Sequence, residues 1–115
     1  MSGRHRSRLI AAGHTHAPVF AALGDEVRLS LVARLCDRSP QSISQLTAGS
    51  DITRQAVTKH LQTLKRAGVV RSIRSGRQCL FKFDPERIDE LRKYLDLVSG
   101  QWDQALARLK SFVEY

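Results

Sequence analysis

Apolar side chains keep helical spacing along most of this chain and give way to alternation only once. Val19, Phe20, Ala22 and Leu23 form a short apolar turn that ends at Gly24. Asp25 suits an N-cap and Glu26 a first helical turn, so a second helix is predicted to start there. Its apolar positions are Val27, Leu29, Leu31, Val32, Leu35 and Cys36, several of them at i, i+3, i+4 and i+7. Ser39-Pro40 breaks it. Ser42-Ile43-Ser44-Gln45-Leu46 opens a short third helix that Gly49 stops, and Ser50-Asp51-Ile52 supplies a turn. Thr53 then caps a longer helix, Arg54 to Ala67, with Val57, Leu61 and Leu64 facing inward. Gly68 fits the left-handed residue that commonly ends a helix.

The period changes after Gly68. Val69 to Ile73 and Gln78 to Phe83 read as two strands, with Arg74-Ser75-Gly76-Arg77 as the turn of a β-hairpin. Asp84-Pro85-Glu86 starts a last helix, with a cap, a proline at the first position and an acid at the positive dipole end. Along it Ile88, Leu91, Leu95, Val98, Trp102, Ala105, Leu109 and Phe112 follow one another at steps of three and four, a heptad-like seam. Gly100 is its one blemish. The order is four helices, a hairpin and a helix, so the fold class is mainly α with a small β-hairpin.

Before this pattern lie residues 1–13, where Arg4, Arg6 and Arg8 stand among Ser, Gly and His. No apolar face is evident there. A flexible basic arm over 1–13 is expected, either touching DNA phosphates or simply solvated. Residues 14–115 make the domain, with the last helix at about 86–114. No apolar run nears the roughly 20 residues of a membrane span. No apolar stretch follows the basic start, so no secretory signal is expected and a cytoplasmic place is the default.

Charge narrows the function. Lys and Arg number 19 against 11 Asp and Glu, a net of +8 in 115 residues, which points to a polyanionic partner. The third and fourth helices, joined by a tight turn, fit a helix-turn-helix. On the fourth, Arg54, Gln55, Thr58, Lys59 and Gln62 face out, and four of these form a stripe at i, i+3, i+4 and i+7. An ordinary solvated helix face mixes both signs. Residues 53–67 hold Arg54, Lys59, Lys65 and Arg66 and no acid. Such a stripe suits the major groove, where Gln pairs with adenine, Lys or Arg with guanine, and Thr with a base edge or thymine methyl. Arg74 and Arg77 flank the hairpin tip, suited to a minor groove or merely keeping an edge hairpin soluble.

The segments FAALGDEVRLSLVARL, ISQLTAGSDITRQAVTKHLQTLKRAGVV and RSGRQCLFKFDPERIDEL, within residues 18–115, resemble the ArsR-type family of bacterial winged helix-turn-helix repressors. The resemblance implies a homodimer paired through its first and last helices. Ile88, Leu91, Leu95, Val98, Trp102, Leu109 and Phe112 would form the contact, and a palindromic double-stranded operator would be the partner. The implied DNA-reading residues are Arg54, Gln55, Thr58, Lys59, His60 and Gln62, with His60 alternatively bonding a neighbouring turn. Many relatives sense metals through a Cys-x-Cys pair before the recognition helix or through Asp and His on the last helix. Here residues 42–50 hold no Cys, and the four histidines are His5, His14, His16 and His60. No metal site or other cofactor is therefore expected. Other relatives sense oxidants or reactive sulfur through two cysteines, a role open to Cys36 and Cys79 if they are not just small buried hydrophobes. No Ser-His-Asp order in known context, phosphate-cradling glycine loop or HExxH argues for an enzyme. A protein-interaction module or an RNA binder are the rival readings.

Overall fold

The computed structural model describes the backbone of residues 2–113 and the side chains of residues 8–112. Met1, Glu114, Tyr115 and the side chains of Arg4 and Arg6, which belong to the expected arm and the end of the expected domain, lie outside it. Eight elements follow in order: α1 (Ser2–Leu23), α2 (Glu26–Asp37), β1 (Gln41–Ser42), α3 (Ile43–Ala48), α4 (Arg54–Arg66), β2 (Val70–Ser75), β3 (Gln78–Phe83) and α5 (Pro85–Val113).

The caps read from sequence are formed. Asp25 Oδ2 accepts from the Arg28 amide at 3.0 Å, and Thr53 Oγ1 accepts from the Ala56 amide at 3.1 Å. Asp84 Oδ1 accepts from the Glu86 amide at 3.1 Å at the start of α5. At α3, Ser42 and Gln45 close a capping box. Gly68 sits at φ +82° after α4. That conformation selects glycine, and a Cβ there would in addition push the Arg87 side chain, 2.8 Å away at Nε, aside.

Three features depart from the sequence expectation. First, the stretch expected as an arm over 1–13 is helical from Ser2, continuous with the apolar turn at Val19. Leu9, Ala12, Gly13, His16, Phe20 and Leu23 are half-buried at helical spacing. The Tyr94 ring of α5 lies against Gly13 and within 5.3 Å and 5.8 Å of the His16 and Phe20 rings. Gly13 and His16 make much of that contact, and neither is apolar enough to extend the stripe that Phe20 belongs to. Second, β1 adds a third strand: Gln41 and Ser42 pair with Phe81 and Leu80, giving the antiparallel order β1-β3-β2. Third, the hairpin turn is tighter than expected. Ser75 pairs with Gln78, which leaves Gly76 (φ +61°) and Arg77 as the loop and places Arg74 in β2 opposite Cys79.

The core gathers Leu31, Val32 and Leu35 of α2, Leu46 of α3, Val57, Leu61 and Leu64 of α4, and Val70 and Phe81 of the sheet. Val19 and Ala22 of α1 close one side. Leu91 of α5 also enters it, only 4% exposed, and Ile88 packs against it. These two residues, expected in a seam between copies, serve the protomer itself. Beyond Leu91, α5 projects. The radius of gyration is 18.7 Å and the extents are 66 × 26 × 20 Å, whereas about 13 Å suits a compact domain of some 100 residues. A helix of 29 residues reaches about 43 Å at 1.5 Å per residue, the larger part of the long axis. Among the described residues no helix is long and apolar enough to cross a membrane.

Candidate nucleic-acid interface

Helix α4 is fixed on three sides and open on the fourth. Val57, Leu61 and Leu64 are fully buried. On the flank toward α3, Arg54 Nη1 donates to Ser44 Oγ at 3.2 Å. Helix α3 is itself anchored, because Arg34 of α2 donates to the backbone carbonyls of Leu46 and Gln45. On the opposite flank His60 turns toward the start of α2. Arg28 Nη1 donates to His60 Nδ1 at 3.4 Å, and Asp25 Oδ2 lies 3.9 Å from that nitrogen. Asp25 is held below its ordinary carboxyl pKa of 3.8, chiefly by the Arg28 amide it accepts from. His60, expected among the DNA-reading residues, is thus a structural link between α2 and α4. The ring is drawn inward because the Arg28 guanidinium, held on α2, donates to its Nδ1.

The open face carries the rest of the expected stripe. Arg54, Gln55, Thr58 and Lys59 line one shallow depression. Thr58 Oγ1 donates to the Arg54 carbonyl at 2.8 Å, which commits its proton to the helix and leaves its oxygen and methyl for a partner. Gln55, Lys59 and Gln62 are exposed and have no hydrogen-bond or ion-pair partner among the described residues. Unengaged donors and acceptors on a rigid helix are what base-edge readout requires. Ser44, Asp25 and Arg28 were not singled out for this site from sequence. The signal for the last two lay in Leu-Gly-Asp-x-x-Arg, where the acid and the base are three residues apart.

The hairpin divides by charge. At its base, Arg71 Nε donates to Asp84 Oδ2 at 2.9 Å, and Arg71 Nη2 lies 3.9 Å from Glu86. At its tip, Arg74 and Arg77 are exposed with no acidic partner among the described residues. The tip therefore carries two guanidinium groups without a neutralising acid. Both cysteines are exposed. Partial burial pushes the Cys36 thiol above its ordinary value, which disfavours the thiolate that sensor chemistry needs.

The far half of α5 has a second open face. Leu95, Trp102, Leu109 and Phe112 are 51, 64, 60 and 83% exposed, and Leu106 joins them at 56%. Val98 and Ala105, on the same helix, are half-buried.

Helices α3 and α4, with the β2-β3 ribbon beside them, make a winged helix-turn-helix DNA-binding domain. A family model described as a helix-turn-helix domain matches residues 23–73, from the end of α1 into β2. The HTH-type transcriptional regulator YuzN of Bacillus subtilis is 36% identical over 81 residues, covering 65% of this chain and 88% of the relative. The HTH-type transcriptional repressor SmtB of Mycobacterium tuberculosis is 31% identical over 101 residues, covering 88% of this chain and 70% of the relative. Among solved structures, an ArsR-like transcriptional regulator from Rhodococcus sp. RHA1 superposes with a TM-score of 0.77 at 33% identity, covering 86% of this chain and 92% of that one. A homodimeric winged helix-turn-helix DNA-binding domain from Mycobacterium bovis, Mb0332, shares the fold at a TM-score of 0.63 and 24% identity, covering 84% of this chain and 86% of that one. The chain belongs to the ArsR family of winged helix-turn-helix transcriptional regulators.

Proposed function

We propose that this chain is a sequence-specific repressor that binds a palindromic double-stranded operator as a homodimer. The observation that carries the reading is the open face of α4. It presents Gln55, Lys59 and Gln62 without intramolecular partners and without a single acid between residues 53 and 67. Arg54 and Thr58 border that face, and Arg74 and Arg77 extend it at the wing tip. Phosphate contacts from the arginines and lysines hold the protein in register, while the glutamines and Lys59 supply selectivity. Dimerisation is supported by the exposed apolar stripe of α5 and by the homodimeric Mb0332 domain. Two recognition helices related by a two-fold axis would enter successive major grooves roughly 34 Å apart. The repressor role takes support from the relative SmtB, a transcriptional repressor.

Selection of bound duplexes from a random library would yield the operator. Against that operator, Gln55→Ala and Lys59→Ala should each cost about 1–3 kcal/mol, with much smaller losses on random duplex. Equal losses on both DNAs would remove these residues from sequence readout. Failure to retain any duplex in dilute buffer would remove the function.

A further inference from the structure

Behind the DNA-facing edge of α4 lies a groove of about 370 Å³ between the end of α1, the start of α2 and the last turn of α4. Pro18, Ala21, Ala22 and Ala67 give it an apolar floor. Its polar groups are Arg28, Thr63 and Arg66, and no carboxylate lines it. The floor is made of small side chains, so among the described residues none fills the trough.

The two guanidinium groups differ in freedom. Arg28 is fixed: Nε donates to the Ala22 carbonyl at 2.6 Å, Nη2 to the Ala21 carbonyl at 3.3 Å, and Nη1 to His60 Nδ1 at 3.4 Å. An arginine has five N–H donors, so two remain. Arg66 is exposed and makes one weak contact, donating from Nη2 to Thr63 Oγ1 at 3.4 Å. The Asp25 carboxylate, at the start of the same helix as Arg28, faces the Arg28 amide and His60. A preset cation, a mobile cation and a small apolar trough match one anionic head on a compact apolar body.

We infer that this groove binds a small amphipathic carboxylate, which draws Arg66 away from the duplex and so weakens operator binding. The regulatory half of this inference rests on the proposed DNA-binding role; the binding half does not. Arg66 follows Gln62 by one turn on α4, on the edge that flanks the reading stripe. Ligand and DNA phosphate would compete for it. Linkage then requires that operator DNA lower carboxylate affinity by the same factor.

Calorimetry on the full chain tests the site without DNA. The probes are octanoate and benzoate, with octanol and inorganic phosphate as controls. The carboxylates should bind at millimolar concentration or below, and octanol and phosphate markedly more weakly. Arg66→Gln should weaken octanoate about tenfold or more, the loss of one charge-assisted hydrogen bond. Ala21→Phe, at an exposed position, should block the trough. Operator affinity should fall as octanoate is added to the native chain and be insensitive to it in Ala21→Phe. Absence of carboxylate binding would overturn the site. So would phosphate binding equal to octanoate, with Arg66→Gln weakening all duplexes alike, because the groove would then be a DNA phosphate anchor. Carboxylate binding by a chain that retains no DNA would keep the site and overturn only the competition.

Discussion

Helices α4 and α5 carry the same mark in sequence, an apolar stripe at steps of three and four, and they use it differently. The stripe of α4 is closed within the protomer, with Val57, Leu61 and Leu64 fully buried. What α4 leaves open is polar, basic and free of acids. The stripe of α5 divides in two. Ile88 and Leu91 enter the protomer core, whereas Leu95, Trp102, Leu106 and Leu109 remain in solvent. Isolated exposed apolar residues are ordinary, but several along one helix mark an interaction surface. One helix thus offers water a face suited to DNA, and the other offers it a face suited to apolar packing.

The largest expected effect comes from attacking the open half of α5. Trp102→Glu places a charge in the stripe at a side chain that is largely exposed in the protomer. The variant should elute as a monomer by light scattering and keep its helical circular dichroism. Losing the linked second half-site should lower operator affinity by about 10²–10⁴-fold. A variant that stays dimeric with native affinity would place the interface elsewhere. The matching change on α4 should behave in the opposite way. Leu61→Ala removes a fully buried side chain and should lower stability by about 2–5 kcal/mol in urea unfolding. If Leu61→Ala were tolerated while Trp102→Glu unfolded the chain, the contrast between a closed and an open stripe would be lost.

Much of this contrast was legible in the residues. Capping residues announced the starts of α2, α4 and α5, and the glycines at 68 and 76 announced the turns, because local chemistry decides those positions. The polar stripe of α4 was legible for a related reason: a helix of known inward face has a determined outward one. What escaped was set by contacts between distant segments. Helix α1 extends to Ser2 and meets Tyr94 through Gly13 and His16, a glycine and a polar ring that leave no hydropathy signal. Strand β1 spans two residues and exists through its pairing with Leu80 and Phe81. The division of the α5 seam at Leu91 depends on where the core ends, which periodicity does not encode. His60 turned inward because Arg28 and Asp25, far away in sequence, receive it.

A smaller effect separates the tip of the basic ribbon from its base. Arg74 and Arg77 at the wing tip lack acidic partners among the described residues, unlike Arg71 at the wing base. Arg74→Ala and Arg77→Ala should each reduce the slope of log affinity against log salt by about 1, alike on operator and random duplex. Arg71→Ala should instead loosen the junction with α5 and change that slope little. A reversed order, with Arg71 setting the salt dependence, would move the cationic contact from the tip to the base.

The smallest effect tests whether the α4 side is self-contained. Asp25 caps α2, and its carboxyl titrates below the ordinary 3.8, first because it accepts the Arg28 amide, which outweighs the opposing desolvation, and then with lesser help from the charges of Arg28 and His60. A carboxyl with a lowered folded-state pKa stabilises the fold while ionised. That contribution is complete above the unfolded value and is lost as pH falls through the folded one, from about pH 5 downward. Asp25→Asn keeps a capping oxygen but cannot titrate. Urea midpoints measured from neutral pH into the acid range should therefore fall more steeply for the native chain than for Asp25→Asn. The same difference should persist in the monomeric Trp102→Glu background, because the cap, His60 and the closed stripe of α4 all lie within one protomer. If the difference disappeared on dissociation, the support of the recognition helix would depend on the α5 interface, and the two helices would have to be treated as one coupled unit.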